Sequence, residues 1–217
     1  MICKNCNAEI PDNGQFCQNC GTKVENANSG LSGSQAVGDS NSFLELNQLL
    51  LVHKARIGVS ESFSIEDSSG NKFGEAQNVR VMPLKWIVVN SNGSTSFMVE
   101  SIREKGLLYY EHIDGPDGSS LAIIKRKASF LGNKLELETP SNGTMHLSSD
   151  GLGKNFTFTD QNGNATASAK HYSGLTESKT EVNISPENNA DHRIILGAML
   201  YMSVLTMKNM SRNNLTG

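Results

Sequence analysis

Residues 194–207 read IILGAMLYMSVLTM and stand between Arg193 and Lys208. The apolar and small residues cover every side at helical spacing, so the segment predicts a helix without a polar face. Such a helix is buried in protein or in lipid. At 1.5 Å per residue it extends over about 21 Å, which is shorter than the hydrocarbon core of roughly 30 Å. Its length therefore favours burial inside the protein.

The chain before this helix alternates with a period of two, which predicts strands with one buried face and one wet face. The alternating apolar pairs are Phe63 and Ile65, Leu135 and Leu137, Phe156 and Phe158, and Val182 and Ile184. About twelve strands are predicted in this way. They lie near 48–56, 62–67, 71–79, 84–90, 95–102, 106–114, 119–128, 133–139, 143–149, 154–160, 164–171 and 177–185.

A turn signal recurs between these strands, in which Asp, Asn or Ser precedes a glycine. The turns are Asp67 to Gly70, Asn90 to Gly93, Asp117 to Gly118, Ser141 to Gly143 and Asp160 to Gly163. Asp or Asn supplies a side-chain bond to the backbone, and Gly supplies the positive φ that tight hairpins need. The pattern predicts an antiparallel meander.

The strand count decides where the helix goes. Eight strands make a barrel that their own side chains fill, whereas twelve leave a wider interior. A helix of 10–12 Å diameter fits such a space, with Ala165, Ala167 and Ala169 as the wall against which it packs. Asp191 stands where an anion favours a helix N-terminus. We therefore predict a mainly β protein, in which an antiparallel barrel encloses a hydrophobic C-terminal helix near 191–209.

All four cysteines lie in the first 20 residues, as the pairs Cys3 and Cys6, and Cys17 and Cys20. Two Cys-x2-Cys pairs place four thiolates around one tetrahedral Zn²⁺. A piece of about 25 residues has too small a core to fold alone, so the metal must supply folding energy. We predict one structural zinc per chain. The segment resembles the short zinc-ribbon domains of prokaryotic proteins. Iron in a rubredoxin-like site is the minor alternative, and disulfides or a redox pair are another.

The composition divides the chain into four parts. Residues 1–25 are the predicted ribbon, and 26–42 (NANSGLSGSQAVGDSNS) have almost no apolar bulk and a single charge. This flexible linker would span roughly 20–25 Å. The barrel with its helix follows over 43–210, and 211–217 form a tail.

Residues 43 to about 210 resemble the tubby C-terminal-like superfamily, in its LURP-one-related and phospholipid-scramblase-like branch. The resemblance is carried by the ordered phrases FSIEDSSGNKFGEA, YYEHIDGPDGSSLAIIKRK, LELETPSNGTMHLS, NFTFTDQNGNATASAKH and IILGAMLYMSVL. It implies a twelve-stranded barrel around a hydrophobic helix. Scramblase-like relatives are associated with a calcium-binding segment before the helix and with palmitoylated cysteines. Here SPENNADHR lacks the acidic spacing, and the linker and barrel contain no cysteine.

Catalytic motifs are missing from the sequence, and we expect a protein that is not an enzyme. There is no HExxH and no phosphate-binding glycine loop before a helix. The five histidines are interpreted as surface or satisfied polar positions: His53, His112, His146, His171 and His192. Asp67 opens a calcium-like loop, but Lys72 and Asn78 stand where that loop needs Gly and Glu.

The charge pattern limits the partners. The chain carries a formal net charge of −3, and a zinc-loaded ribbon would also be negative. Phosphates would repel such a module, which argues against nucleic acid as the partner. The N-terminus has no signal-peptide pattern, and no apolar run is long enough to span a bilayer. The nearest candidate for binding an anionic lipid head group is Lys125, Arg126 and Lys127, although alternation puts Arg126 opposite the two lysines.

These observations favour a non-enzymatic cytoplasmic module for binding or regulation, acting at a membrane surface or on a protein partner. A peripheral position at the inner membrane face is included in this expectation. The first alternative is a scramblase-type lipid-handling protein, in which the apolar helix leaves the barrel for the bilayer. The second is a nucleic-acid-associated regulator that acts through the ribbon.

Overall fold

The computed structural model describes most of the chain after the predicted linker. The described residues are 43–54, 61–81, 83–103, 109–127, 134–140, 143–150, 153–174, 177–187 and 191–213. The predictions for residues 1–42, which comprise the ribbon and the linker, lie outside these described residues.

The described residues form one short 3-10 helix, twelve strands and one α-helix. The 3-10 helix is Phe43–Glu45, and the α-helix, α1, is His192–Asn213. The strands are Gln48–Lys54 (β1), Ser62–Glu66 (β2), Lys72–Arg80 (β3), Lys85–Asn90 (β4), Thr95–Arg103 (β5), Tyr109–Asp114 (β6), Ser120–Lys127 (β7), Lys134–Thr139 (β8), Gly143–Ser149 (β9), Asn155–Thr159 (β10), Ala165–Ser173 (β11) and Glu177–Ile184 (β12). The predicted strands are confirmed to within a few residues at each boundary.

The twelve strands form a closed antiparallel barrel in which every strand pairs with its neighbours in the chain. The ring closes between β1 and β12, in a register that runs from Gln48 opposite Asn183 to Lys54 opposite Glu177. Closure leaves no unpaired sheet edge. Alternation then decides the burial, since one face of each strand turns inward. The predicted meander and barrel are confirmed.

Five tight hairpins gather at one end of the barrel, which we call the turn end: β2–β3, β4–β5, β6–β7, β8–β9 and β10–β11. In the first of them Asp67 Oδ1 accepts hydrogen bonds from the backbone N–H of Ser69 (2.8 Å) and of Asn71 (2.9 Å). Gly70 supplies the positive φ, +84°, and the other four predicted turn glycines are also positive. The five turn glycines predicted from the sequence are therefore confirmed, while residues 141–142 of the fourth turn lie outside the described residues.

Helix α1 begins at the turn end and runs inside the barrel toward the opposite end, which we call the exit end. Asp191 caps it, because its Oδ1 accepts the backbone N–H of Arg193 at 2.9 Å. Residues 194–204 are all buried. The helix lies close to β6 at Gly197, where an added Cβ would lie 2.9 Å from Ile113 Cδ1. The predicted burial of the helix in protein is thus confirmed.

Phe43 closes the turn end from the chain before β1. Its ring is fully buried and stands edge-on to Phe97, with 6.4 Å between the ring centroids. Gly74 makes room for it, since a Cβ there would meet the Phe43 ring at 3.1 Å. The start of the barrel domain is therefore part of its core.

Two predicted details are corrected, one in the barrel wall and one at the end of the helix. Ala165 is exposed and does not belong to the wall around the helix, whereas Ala167 and Ala169 do. The pairing of β10 with β11 shifts between Phe158 and Thr159. Such a bulge breaks the inside–outside alternation, so Thr166 and Ala167 are both buried. In addition, α1 continues to Asn213, beyond the predicted end near 209.

Candidate functional site

Lys125, the first residue of the predicted lipid-binding trio, lies on the outer face of β7. Its Nζ is 2.6 Å from Glu138 Oε1 on β8, and Glu136 stands opposite it in the register. The hydrogen bond to Glu138 raises the pKa of the Lys125 ammonium above its usual value. The surroundings of this lysine are therefore acidic, and its charge is already partnered.

Arg126 points to the other face of β7, toward the interior at the exit end. Its Cζ lies 5.7 Å from the centroid of the Tyr201 ring of α1. The Tyr201 side chain also interacts with the carboxylate of Glu111 on β6. Burial, together with the charge of Glu111, raises the pKa of the Tyr201 phenol to about 12. Arg126 thus contacts the helix and is not part of an outer patch.

Lys127 ends β7 opposite Lys134 of β8, and its side chain lies outside the described residues. The structure therefore does not bring Lys125 and Arg126 onto one face. The expectation that alternation places Arg126 on the face opposite Lys125 is confirmed. A lipid-binding role for the trio stays a prediction.

A buried polar chain that the sequence analysis did not identify runs between β11, β12 and α1. His171 Nδ1 is 2.9 Å from Thr180 Oγ1, which is 3.2 Å from Ser203 Oγ. His171 Nε2 has no hydrogen-bond partner among the described residues. Burial lowers the pKa of the His171 imidazole below its usual value.

His171 is therefore not a surface position but a buried one, whose Nδ1 is satisfied by Thr180 and whose Nε2 is not satisfied. The alternation of the sequence could have revealed its burial, because His171 continues the inward row of Ala167 and Ala169. The sequence could not reveal its partners, since Thr180 and Ser203 meet it only after the barrel closes around the helix.

The turn end has a different, acidic character. Asp191 forms an ion pair with Arg193, and the Arg193 cation is also influenced by Asp117 in the β6–β7 hairpin. Burial alone would raise the pKa of the Asp191 carboxyl. The hydrogen bonds from the side chain and backbone of Arg193 outweigh it, so this pKa lies below its usual value. These contacts position the first turn of α1.

The described part of the chain contains no group of three or more His, Cys, Asp or Glu side chains that could hold a metal ion. The predicted metal ligands Cys3, Cys6, Cys17 and Cys20 all lie outside it. Their chemistry fits zinc, because thiolates in two Cys-x2-Cys pairs are a donor set for a closed tetrahedral zinc site. Among the described helices, none is long and apolar enough to cross a membrane.

A closed twelve-stranded antiparallel barrel around its own C-terminal helix is the tubby C-terminal-like architecture. This chain belongs to the LURP-one-related family, whose model matches residues 48–203. The model of a zinc-ribbon domain matches residues 2–24, the segment that contains all four cysteines. The predicted family and domain types are thereby confirmed, and the ribbon implies zinc binding.

The comparison with solved structures supports the fold. The X-ray structure of a protein from Arabidopsis thaliana superimposes with a TM-score of 0.50 and 13% sequence identity. The match covers 73% of this chain and 91% of that chain. No curated protein matches the sequence. A zinc ribbon joined to a LURP-one-related barrel is the organisation of a binding or regulatory module.

Proposed function

We propose that the chain is a non-catalytic cytoplasmic module that meets its partner on the outside of the barrel. The observation that carries this proposal is the occupied interior. Apolar side chains of α1 fill it from residue 194 to residue 204, and all of these residues are buried. Ligand pockets are concave spaces of several hundred Å³, so a substrate would have to displace the helix. A partner that binds the outer faces of the strands would leave the helix in place.

For the partner we propose an anionic lipid head group that binds Lys125 on the outer face of β7, together with Lys127. The ion pair between Lys125 and Glu138 leaves 39% of the lysine side chain and 45% of the glutamate side chain exposed. Exposed ion pairs contribute at most about 1 kcal/mol, so a phosphate can replace the carboxylate at little cost. A protein partner with an acidic surface is the competing possibility.

The test is flotation of the full chain with phosphatidylcholine vesicles, with and without a phosphoinositide. The informative variant is Lys125→Glu with Lys127→Glu. Each basic contact at such a surface is worth about 1 kcal/mol, so losing two should weaken binding about 30-fold. Arg126 is left unchanged, because a glutamate there would stand beside Glu111 and destabilise the helix contact. Reversing the whole trio would therefore also lower the stability of the barrel.

The matched control is Lys170→Glu with Lys179→Glu, which changes the net charge equally on the outer faces of β11 and β12. The proposal requires that this control float almost like the wild type. Equal weakening of both variants would show a general charge effect, and no flotation of the wild type would exclude the membrane surface. Lipid translocation by reconstituted protein would instead favour the scramblase-type alternative.

We further propose that Cys3, Cys6, Cys17 and Cys20 hold one structural zinc per chain. Four thiolates leave no open position for catalysis. Metal analysis of protein purified under reducing conditions should find about one zinc. Cys17→Ser should lose it without changing the thermal unfolding of the barrel, because the predicted linker separates the two. Iron in place of zinc, or a metal-free ribbon with dispersed NMR signals, would contradict this assignment.

A further inference from the structure

The second half of α1 meets polar groups of the wall at two places, and the first involves Tyr201. Only 6% of this residue is exposed. Its ring lies under Arg126, and its phenol is close enough to Glu111 of β6 to interact with that carboxylate. Glu111 is held in turn by Ser101 of β5, whose hydroxyl donates to Glu111 Oε2 at 2.5 Å. A tyrosine of the helix is thus tied to β6 and to both strands beside it.

The second polar contact involves Ser203. Its hydroxyl is 3.2 Å from Thr180 Oγ1 on β12, and Thr180 is 2.9 Å from His171 Nδ1 on β11. The exposed fractions of Ser203, Thr180 and His171 are 3%, 1% and 7%. These groups are therefore shielded from water and depend on one another for hydrogen bonds.

The two contacts lie on opposite sides of the helix. In the closed order of twelve strands, β6 and β12 are six strands apart and face each other across the interior. Successive helical residues turn by about 100°, so Tyr201 and Ser203 point in directions about 200° apart. A helix that slid by one residue, or rotated by half a turn, would lose both contacts. Apolar burial has no such directionality.

We propose that these two contacts form a polar lock that sets the depth and rotation of α1, and that acid opens the lock from the side of His171. The groups bonded to His171, directly or through Thr180, are Thr180 of β12, Ser203 of α1 and Lys154, just before β10, whose backbone carbonyl accepts the backbone N–H of His171 at 2.7 Å. None of them is a carboxylate. Among the residues that the structure describes, a protonated imidazole at this place therefore has no carboxylate partner to compensate its charge.

The direction of the pH effect follows from proton linkage. Burial keeps the pKa of His171 below its usual value of 6.5 in the locked state, whereas a solvated ring in the open state titrates normally. Below pH 6.5 the open state thus binds more protons, and its population rises by up to about tenfold per pH unit. The effect ends once the locked state is protonated as well.

Hydrogen exchange of the full chain, followed by mass spectrometry from pH 7.5 to pH 5, tests the acid response. After correction for the intrinsic pH dependence, α1 should lose protection below pH 6.5 before the strands do. His171→Gln keeps a hydrogen-bonding side chain but cannot titrate, so its α1 should stay protected. His146→Gln, on the outer face of β9, is the matched control and should behave like the wild type. The proposal would be overturned if the helix and the strands lost protection together, or if α1 of His171→Gln lost protection in acid as in the wild type.

A second measurement tests the positioning role without relying on His171. Tyr201→Phe with Ser203→Ala keeps the helix apolar and nearly the same shape. The lock predicts doubled or broadened NMR amide signals from α1, because other depths and rotations become accessible. Val204→Ala removes apolar packing nearby and should keep one sharp set of signals despite lower stability. A single sharp set in the double variant would show that apolar packing alone positions the helix.

Discussion

The turn end and the exit end of the barrel are built from the same strands but use different chemistry. At the turn end, Asp67 and its counterparts bond the local backbone, and the buried ring of Phe43 closes the interior. At the exit end, Arg126 and His171 face inward and contact groups from distant parts of the chain. The comparison teaches that local turn chemistry closes one end, whereas long-range polar contacts with α1 organise the other.

Removal of the element that both ends share should have the largest effect. Deletion of residues 190–217 takes away several buried Leu, Ile and Met side chains, each worth about 1.5–3 kcal/mol. Their sum exceeds the roughly 5–15 kcal/mol by which domains are stable. The truncated chain should therefore be insoluble or molten, as judged by expression and circular dichroism.

The single change Met199→Asp should act in the same direction, because its site is fully buried and the carboxylate would lose its hydration there. A truncated barrel with native circular dichroism and cooperative unfolding would contradict the role of α1 as the core. That result would favour the alternative in which the helix acts outside the barrel.

Phe43→Ala should show how far the turn end depends on apolar burial. Loss of a buried phenylalanine ring costs about 3–5 kcal/mol. Arg126→Ala at the exit end should cost only about 1 kcal/mol, because its contact with Tyr201 is partly exposed. Urea unfolding of both variants measures the difference. Equal losses of unfolding free energy would show that the two ends do not differ in their dependence on apolar burial.

Alkaline unfolding should identify the contribution of Tyr201 at the exit end. Its pKa is raised to about 12 from the usual 10.0, so the folded state keeps a proton that the unfolded state loses. The stability from this group is full below pH 10 and is lost as the pH rises to about 12. One pKa unit is about 1.4 kcal/mol, so the total is about 3 kcal/mol.

Urea unfolding at stepped pH measures this loss. Tyr201→Phe should remove it, whereas Tyr172→Phe, which changes an exposed ring on β11, should keep it. Equal alkaline loss in the wild type and in Tyr201→Phe would show that the phenol is not the group responsible.

The smallest effect is expected at the turn glycines, and it should be equal at the two ends. Gly70 at the turn end and Gly153 at the exit end have φ of 84° and 64°, and neither has a neighbour within 4 Å of an added Cβ. Alanine at either position should cost about 1 kcal/mol of left-handed strain, as measured by thermal unfolding. A much larger loss at Gly153 would mean that its turn takes part in the exit-end contacts.

Much of the fold was predictable because its signals are local. The alternation of Leu135 and Leu137 requires one buried face, and Asp160 with Gly163 requires a tight turn, whatever the rest of the chain does. The candidate site was harder to predict from the sequence. Arg126 was recognised as opposite to Lys125, but nothing near it in the sequence indicates Tyr201 as its partner. The four cysteines were identified by their spacing alone.

The sequence by itself determined the twelve strands, their turns and the need to bury residues 194–207, since periods of two and 3.6 residues are encoded by neighbours in the chain. Only the tertiary structure decided which wall each polar group of α1 meets. Closure of β1 against β12 sets the circumference, and the bulge that exposes Ala165 changes which residues face inward. Hydrogen bonds such as that between Thr180 and Ser203 require both partners at the correct distance and angle, and a linear pattern of residues does not contain that geometry.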